Sequence, residues 1–517
     1  MRKWLPLVAV CLGTFMLLVD VTIVVVALPD MARGLHTTFA DLQWVMDVYA
    51  LALAALLLGV GSLADKIGHR RVYVVGLVLF ALASLACGLA SGPEVLIAFR
   101  AVQGIGGAAM LATTTALIAG LYQGRDRGLA FGVWGAVSGA ASAAGPVMGG
   151  LLTQHLDWRW IFYVNLPLSV LAIAMTLKFV PRSRTSPARG VDLPGTAAFT
   201  VAAGTATYAL IKGEDHGWAS GTTLGLFALA ALALLVFVVV ELRGRQPMLD
   251  LGLFRGGSFS GLMVAAVLLS VAAFSYLAYT SLWLQSVRGM GPVTAGLACL
   301  PMSVAAFVVA SLAGRFLHGV SPRLTVGVGM LLIGAGALAQ AFVEADSTWT
   351  ALAPGLAVTG VGVGLATPAL ASTALASVPP ARGGTASGAV NTARQLGNAL
   401  GIAVLGAVFH AGLSGAVRGH GGGVPADALA GGQAAAVIGQ ADGGRRAVVE
   451  HVVREAFAAG LRDVFLVSGA VGLVGGVVAL VLVRRPVVAL PGASAAGASA
   501  AGAVRRAAAS GAGQPVN

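Results

Sequence analysis

The chain has 517 residues, 57% of them hydrophobic and only 10% charged, with a mean hydropathy of +0.88. Soluble domains usually carry about 25% charged residues, which excludes an ordinary water-soluble globular protein. The formal net charge of +12 does not indicate a nucleic-acid binder, because the cations are scattered through short loops between apolar segments, where they set membrane topology.

Runs of about 20 apolar residues cross a bilayer as helices. Fourteen such spans are predicted, at 5–27, 42–63, 72–90, 95–119, 130–152, 161–179, 195–211, 224–240, 259–284, 293–313, 324–343, 351–372, 386–410 and 464–483. The strands of a transmembrane barrel would be about 10 residues long and would alternate in polarity, a pattern this chain lacks. The first run is long enough to span and no small-residue cleavage site follows it, so it reads as a span and not a signal peptide. Cys11, Cys87 and Cys299 all lie in apolar segments, where cysteine behaves as a small buried hydrophobe. No disulfide is expected. With the amino terminus inside, the loops bearing Arg2, Lys3, Lys66, Arg70, Arg71, Arg125, Arg127, Lys178, Arg182 and Arg243 are cytoplasmic. Only Arg33, Arg159, Lys212 and Arg288 fall in short external loops, in keeping with the positive-inside rule. An even number of spans then leaves both termini cytoplasmic in a multi-pass membrane protein. The stretch 411–461 reads as an external loop with a short amphipathic helix near 445–457. The Ala-, Gly- and Ser-rich stretch 491–517 reads as a disordered cytoplasmic tail.

Charged residues inside spans cost several kcal/mol and are functional candidates by default. Asp20 lies deep in the first span. A carboxylate isolated in an apolar medium can bind a proton near neutral pH, which is the chemistry of a proton-coupled carrier. The competing reading makes it the structural partner of a nearby cation. Asp47, two residues before Tyr49, either contacts a cationic substrate or is a solvated helix-end residue. Between spans two and three, Gly61-Ser62-Leu63-Ala64-Asp65-Lys66-Ile67-Gly68-His69-Arg70-Arg71 forms a charged hairpin bounded by glycines. Its glycines allow close helix approach, and its single carboxylate, Asp65, needs a partner. Arg100 and Gln103 share a face of span four at i,i+3. Arg100 keeps its charge at any relevant pH; it either tunes a neighbouring carboxylate or snorkels to the interface. Span five carries Gly135 and Gly139, then Gly145-Pro146-Val147-Met148-Gly149-Gly150. Glycines four apart let backbones touch, and Pro146 removes a backbone donor and favours a bend. Gln285 and the polar face of Asn391, Arg394 and Gln395 either line a central cavity or hydrogen-bond between helices.

Several of these stretches resemble motifs of the major facilitator superfamily, in its drug:proton antiporter branch with fourteen spans. Gly61–Arg71 is similar to the loop motif of the whole superfamily. Asp20 to Pro29 is similar to the first-helix motif of the branch, with Val25 where that motif usually has Asn. Arg100–Gly107 resembles the fourth-helix motif linked to proton coupling. Gly135–Gly150 resembles the fifth-helix motif of antiporters. Trp158–Pro167 and Gly388–Gly401 resemble further signatures. The second-half hairpin, Gly314 to His318, is degenerate and lacks the acid.

The resemblance implies an all-α major facilitator fold: a first six-helix bundle over 1–180, a linker with two extra helices over 181–256, and a second bundle over 257–490. It implies proton-coupled efflux of drugs, antibiotics or amphipathic or cationic metabolites by alternating access, with Asp20 and Arg100 coupling the proton. Asp65 would brace helix ends in the outward-facing state, with Arg70 and Arg71 as anchors and Gly61 and Gly68 shaping the hairpin. Gly145, Pro146 and Gly149 would permit rocking. The implied protein is a monomeric transporter and not an enzyme, with no cofactor or metal beyond the proton and no nucleic-acid partner. The alternatives are an uptake carrier of the same fold and, from another class, a membrane sensor or passive pore.

Overall fold

The computed structural model describes residues 2–35, 37, 39–182, 192–244, 247, 249, 251–255, 257–316, 320–379, 382–420, 424–441 and 444–483. The predicted tail and His318 lie outside the described residues, as do the side chains of Pro146, Arg33 and Lys212. The helices run α1 (Leu5–Leu35), α2 (Phe39–Ile67), α3 (His69–Gly88), α4 (Pro93–Leu121), α5 (Gly124–His155), α6 (Trp160–Tyr163), α7 (Asn165–Phe179), α8 (Leu193–His216) and α9 (Gly221–Arg243). They continue as α10 (Gly257–Ala273), α11 (Leu277–Ser286), α12 (Pro292–Ala298), α13 (Leu300–Phe316), α14 (Pro322–Gln340), α15 (Ala353–Ala376), α16 (Gly383–Gly419), α17 (Ala426–Ala430), α18 (Ala434–Gly439) and α19 (Arg446–Leu482). No strand occurs among the described residues. Without water to satisfy them, backbone amides and carbonyls in lipid must pair within each segment, which leaves the helix as the solution.

Each of the fourteen predicted spans falls on one helix or on a broken pair. Eleven helical segments are long and apolar enough to cross a membrane, and Leu300–Phe316 is a shorter apolar helix. α5 and α8, richer in glycine, threonine and charge, are not among the eleven; the arrangement is consistent with the fourteen-span expectation. One break has a legible cause. Pro167 has no N–H and its ring clashes with the carbonyl four residues earlier, and α6 ends at that residue, Tyr163. The chain restarts as α7 at Asn165. The predicted loop 411–461 is mostly helix: α16 continues to Gly419, α19 begins at Arg446, and 420–445 holds the short α17 and α18. The amphipathic helix expected near 445–457 is the first part of α19, so one long helix carries both it and the last span.

Two cores organise the molecule. One is built from α1 to α7, around Leu53, Tyr73, Phe80, Phe131 and Phe162. The other is built from α10 to α19, around Tyr276, Trp283, Ile333, Phe409 and Phe465. Because lipid is as apolar as the helices, association depends on close backbone approach, and small residues mark the crossings. A β-carbon on Gly76 of α3 would stand 2.9 Å from the Gly106 carbonyl of α4. Gly334 of α14 has the Gly469 carbonyl and Leu473 amide of α19 at the same kind of distance, 2.8 Å. The halves meet along two further seams. On one, Gly61 of α2 abuts the Gly384 carbonyl of α16, and Gly388 faces Leu57 and Leu58. On the other, Gly314 of α13 packs on Gly128 and Gly132 of α5. α8 and α9 pack on each other, and α8 lies along α2 and α16, with Trp44 stacked on Tyr208 at 5.7 Å. Glu241 of α9 accepts from the Leu249 amide at 3.1 Å, tying the linker back onto that helix.

Gly334→Val would force the α14–α19 crossing apart and should destabilise the purified protein by about 1–3 kcal/mol, as overpacking does. Gly120→Ala, with nothing within 4 Å of the added carbon, should be neutral or slightly stabilising. Unfolding in detergent followed by circular dichroism separates the two.

Candidate functional site

The first half closes around one charged cluster. Asp20 of α1 is fully buried, and Arg100 of α4 is 1% exposed. Arg100 Nη1 donates to Asp20 Oδ2 at 2.7 Å. Asp20 Oδ1 accepts from Gln103 Nε2 at 2.9 Å and from Asn165 Nδ2 at 2.9 Å. Gln103 Nε2 also donates to Ser84 Oγ at 2.7 Å, and its Oε1 accepts from Arg100 Nη1 at 2.6 Å. Arg100 Nε donates to the Val45 carbonyl at 3.1 Å, and the guanidinium lies 4.2 Å from the Tyr49 ring centroid. Helices α1, α2, α3, α4 and α7 therefore contribute to one network.

This geometry decides between the readings left open for Asp20 and Arg100. Asp20 is not isolated, because three donors converge on its carboxylate. Arg100 does not snorkel; its charge is neutralised in place by Asp20 and by the face of Tyr49. Tyr49 and Gln103, expected along a substrate cavity, belong to this cluster instead. The break between α6 and α7 starts α7 at Asn165, whose amide reaches Asp20. Asn165 and Ser84 were not singled out beforehand. An amide inside the apolar Trp158–Pro167 stretch was the available signal for the first; nothing distinguishes Ser84 from other small residues of α3. Asp47 stays partly buried on α2.

A second carboxylate joins the halves. Asp65, at the end of α2, is 7% exposed. Its Oδ1 accepts from the Gly384 amide at 2.6 Å, and its Oδ2 accepts from the Thr385 amide at 2.8 Å and from Thr385 Oγ1 at 2.7 Å. His69 Nε2 stands 3.0 Å from Oδ1. α16 has no side-chain cap of its own, so Asp65 satisfies the free amides at its start and complements the positive end of its dipole. Gly61, one turn earlier, allows the approach. Gly68, at φ 103°, takes the left-handed conformation that lets α2 reverse directly into α3. Arg70 Nη2 donates to the Leu177 carbonyl at 2.6 Å, while Arg71 is exposed. Arg127 of α5 donates to the Ser372 carbonyl of α15 at 3.3 Å, a further tie between the halves at this end. Toward the other end of α5, buried Gly145 sits against Thr22 and Val19 of α1, beside Asp20, and Gly149 is buried.

Asn391 and Arg394 line a cavity between the halves, together with Thr115, Trp134 and Thr367. Its volume is about 10 Å³, room for about one water and not for a drug-sized molecule in this conformation. Gln395 and Gln285 do not line it; Gln285 Nε2 donates to Ser281 Oγ at 2.9 Å, within its own helix. Thr115, Trp134 and Thr367 were not predicted, since threonine and tryptophan are ordinary in apolar spans.

Removing one member of a buried ion pair leaves an uncompensated charge. Arg100→Gln alone should destabilise the protein by about 3–5 kcal/mol. Adding Asp20→Asn should recover much of that loss, because two neutral amides can still hydrogen-bond. A double-mutant cycle by chemical denaturation measures the coupling; a value near zero would show that the pair does not act as a unit.

The comparisons with known proteins agree with this architecture. The family model described as Major Facilitator Superfamily matches residues 10–402. The multidrug resistance protein Stp of Mycobacterium tuberculosis is 38% identical over 417 residues, covering 80% of this chain and 78% of its own. The tetracenomycin C resistance and export protein of Streptomyces glaucescens is 33% identical over 499 residues, covering 93% and 91%. Among solved structures, the human organic anion transporter MFSD10 aligns at a TM-score of 0.63 with 16% identity, over 92% of this chain and 99% of that one. The proton:xylose symporter XylE aligns at 0.61 with 14% identity, over 93% and 96%. At those identities the structures speak for the fold alone. The family match and the coverage of the bacterial relatives speak for descent: this chain belongs to the Major Facilitator Superfamily.

Proposed function

We propose that this membrane transporter exports antibiotic-like or other amphipathic small molecules across the cytoplasmic membrane in exchange for protons. Its relatives named for multidrug resistance and for antibiotic resistance and export support the efflux direction. The observation that carries the coupling is the buried Asp20–Arg100 pair, a carboxylate with three donors at the junction of five helices. A proton on Asp20 removes the charge that Arg100 neutralises. The pair then loses its Coulombic attraction in a low-dielectric setting, where that attraction is strongest. The proton thereby changes how tightly α1 is held to α4 and α7. Gly145 brings α5 against α1 beside this point, so a shift of α1 is felt by a helix that also packs on α13 of the other half.

Asp65 has a different role in this scheme. Its bonds to Gly384 and Thr385 hold the halves together at one end. By the positive-inside reading of the loops, that end is the cytoplasmic one. Opening there breaks three hydrogen bonds to a charged acceptor, each worth about 1.5–3 kcal/mol, so the contact acts as a latch. Transport is then a rocking of the two bundles about the central cavity. The working unit is a monomer with both termini cytoplasmic.

Asp20→Asn should abolish substrate-driven proton release in everted vesicles while leaving substrate binding measurable; unchanged proton release would remove Asp20 from the coupling role. Asp65→Ala should slow turnover about tenfold or more, since the latch no longer re-forms, and should change the substrate Kd by only a few-fold. A large loss of binding with normal turnover would count against a latch.

A further inference from the structure

Asp20 neutralises the buried Arg100 of the first half; no described carboxylate pairs with the half-buried Arg394 of the second. The chain has no Asp or Glu between 251 and 343 or between 347 and 426, so α10 to α15 and the membrane part of α16 contain no carboxylate. Yet Arg394 stands on α16, eleven residues after its first residue Gly383. Its Nε is buried with no hydrogen-bond partner among the described residues, and no described carboxylate pairs with it. A guanidinium cannot escape this position by losing its proton, and an uncompensated buried charge is strongly unfavourable. Such a group inside a membrane marks a site.

The rest of the cavity repeats the pattern. Trp134 is 2% exposed, and its Nε1–H, which can only donate, has no partner among the described residues. Thr367 Oγ1 is buried and likewise unpartnered. Both line the same cavity as Arg394. The neighbouring polar groups are already occupied: Thr115 Oγ1 and Ser387 Oγ are 2.5 Å apart, and Asn391 Nδ2 donates to the Leu111 and Ser387 carbonyls. Leu269, Leu370 and Val390 supply apolar wall. A fixed positive charge, an N–H and a hydroxyl on an apolar surface suit an oxyanion attached to an apolar body. A cationic group would meet a like charge in a low-dielectric setting.

We propose that the cavity is the receptor for the anionic group, a carboxylate or sulfonate, of a transported amphiphile. Arg394 is its counter-ion, and Trp134 and Thr367 are neutral donors. The proposal rests on the transporter reading and names the substrate class for it. At about 10 Å³ the cavity admits a water-sized group, so the body of the ligand enters only when the bundles part.

Fluorescein and rhodamine 123 share a fused-ring scaffold and carry opposite charge near neutral pH, which makes them matched probes. Fluorescence polarisation with the purified full chain in detergent should show saturable fluorescein binding. Arg394→Gln should weaken it at least about tenfold, the worth of one charge-assisted hydrogen bond; Arg394→Lys should retain an intermediate affinity, keeping charge without the planar fork. The fluorescein-to-rhodamine preference should fall in Arg394→Gln. Should that variant not fold, Trp134→Phe keeps the shape, removes one donor, and should still weaken fluorescein several-fold. Equal fluorescein affinity in wild type, Arg394→Lys and Trp134→Phe, or a wild-type preference for rhodamine 123, overturns the assignment. In proteoliposomes with an imposed pH gradient, fluorescein bound through Arg394 but not transported would defeat the efflux reading and leave the site standing. Equal transport by wild type and Arg394→Gln would defeat the site and leave efflux standing.

Discussion

The arrangement of the first half follows from the difficulty of holding a charge in lipid. Asp20 and Arg100 each lie where neither can reach water, so each must find the other. Their meeting fixes more than one distance. The carboxylate has two oxygens to satisfy, and it draws in amides from α4 and α7; the guanidinium draws in a carbonyl and an aromatic ring from α2. A buried network of this kind is stable only when every member is satisfied. Any movement that separates α1 from α4 must therefore be compensated, and a proton is the smallest agent that can do it.

The second constraint is steric. Helices that share an apolar solvent have little reason to associate unless their backbones come close. Glycine-to-glycine contacts at Gly76–Gly106, Gly334–Gly469 and Gly61–Gly384 supply that closeness. The last of these joins the two halves, and beside it the Asp65 carboxylate caps a helix belonging to the other half. A contact made of backbone amides and one charge is specific in geometry yet buries little apolar surface. It can be broken and remade without unfolding either bundle, as an alternating-access carrier requires.

The two halves differ in their electrostatics despite their similar build. The first carries an acid and a base that cancel. The second carries Arg394, with no carboxylate in α10 to α16. Under the proposed function, that asymmetry would place proton chemistry on one side of the seam and recognition of a negative group on the other. The degenerate second-half hairpin fits the same division, since Gly314 keeps the packing role against Gly128 and Gly132 while no acid follows it.

Much of this was legible in the amino-acid order. Apolar runs separated by cation-bearing loops announce a multi-span helical membrane protein, because hydrophobic length and loop charge act locally and need no tertiary context. The same order singled out Asp20, Arg100, Asp65 and Arg394, since any charge in or beside a span stands out against its surroundings. It could not say which charges meet. Asp20 and Arg100 are 80 residues apart and Asp65 and Thr385 are 320 apart; only helix packing brings them together. Asn165, Ser84, Trp134 and Thr367 acquired their roles from neighbours on other helices. The extent of α16 beyond its predicted span was hidden for a related reason: its glycines weaken the local helical preference, and packing against α19 decides its fate. Local chemistry set which groups had to find partners; tertiary structure chose the partners, and among the described residues it gave Arg394 Nε none.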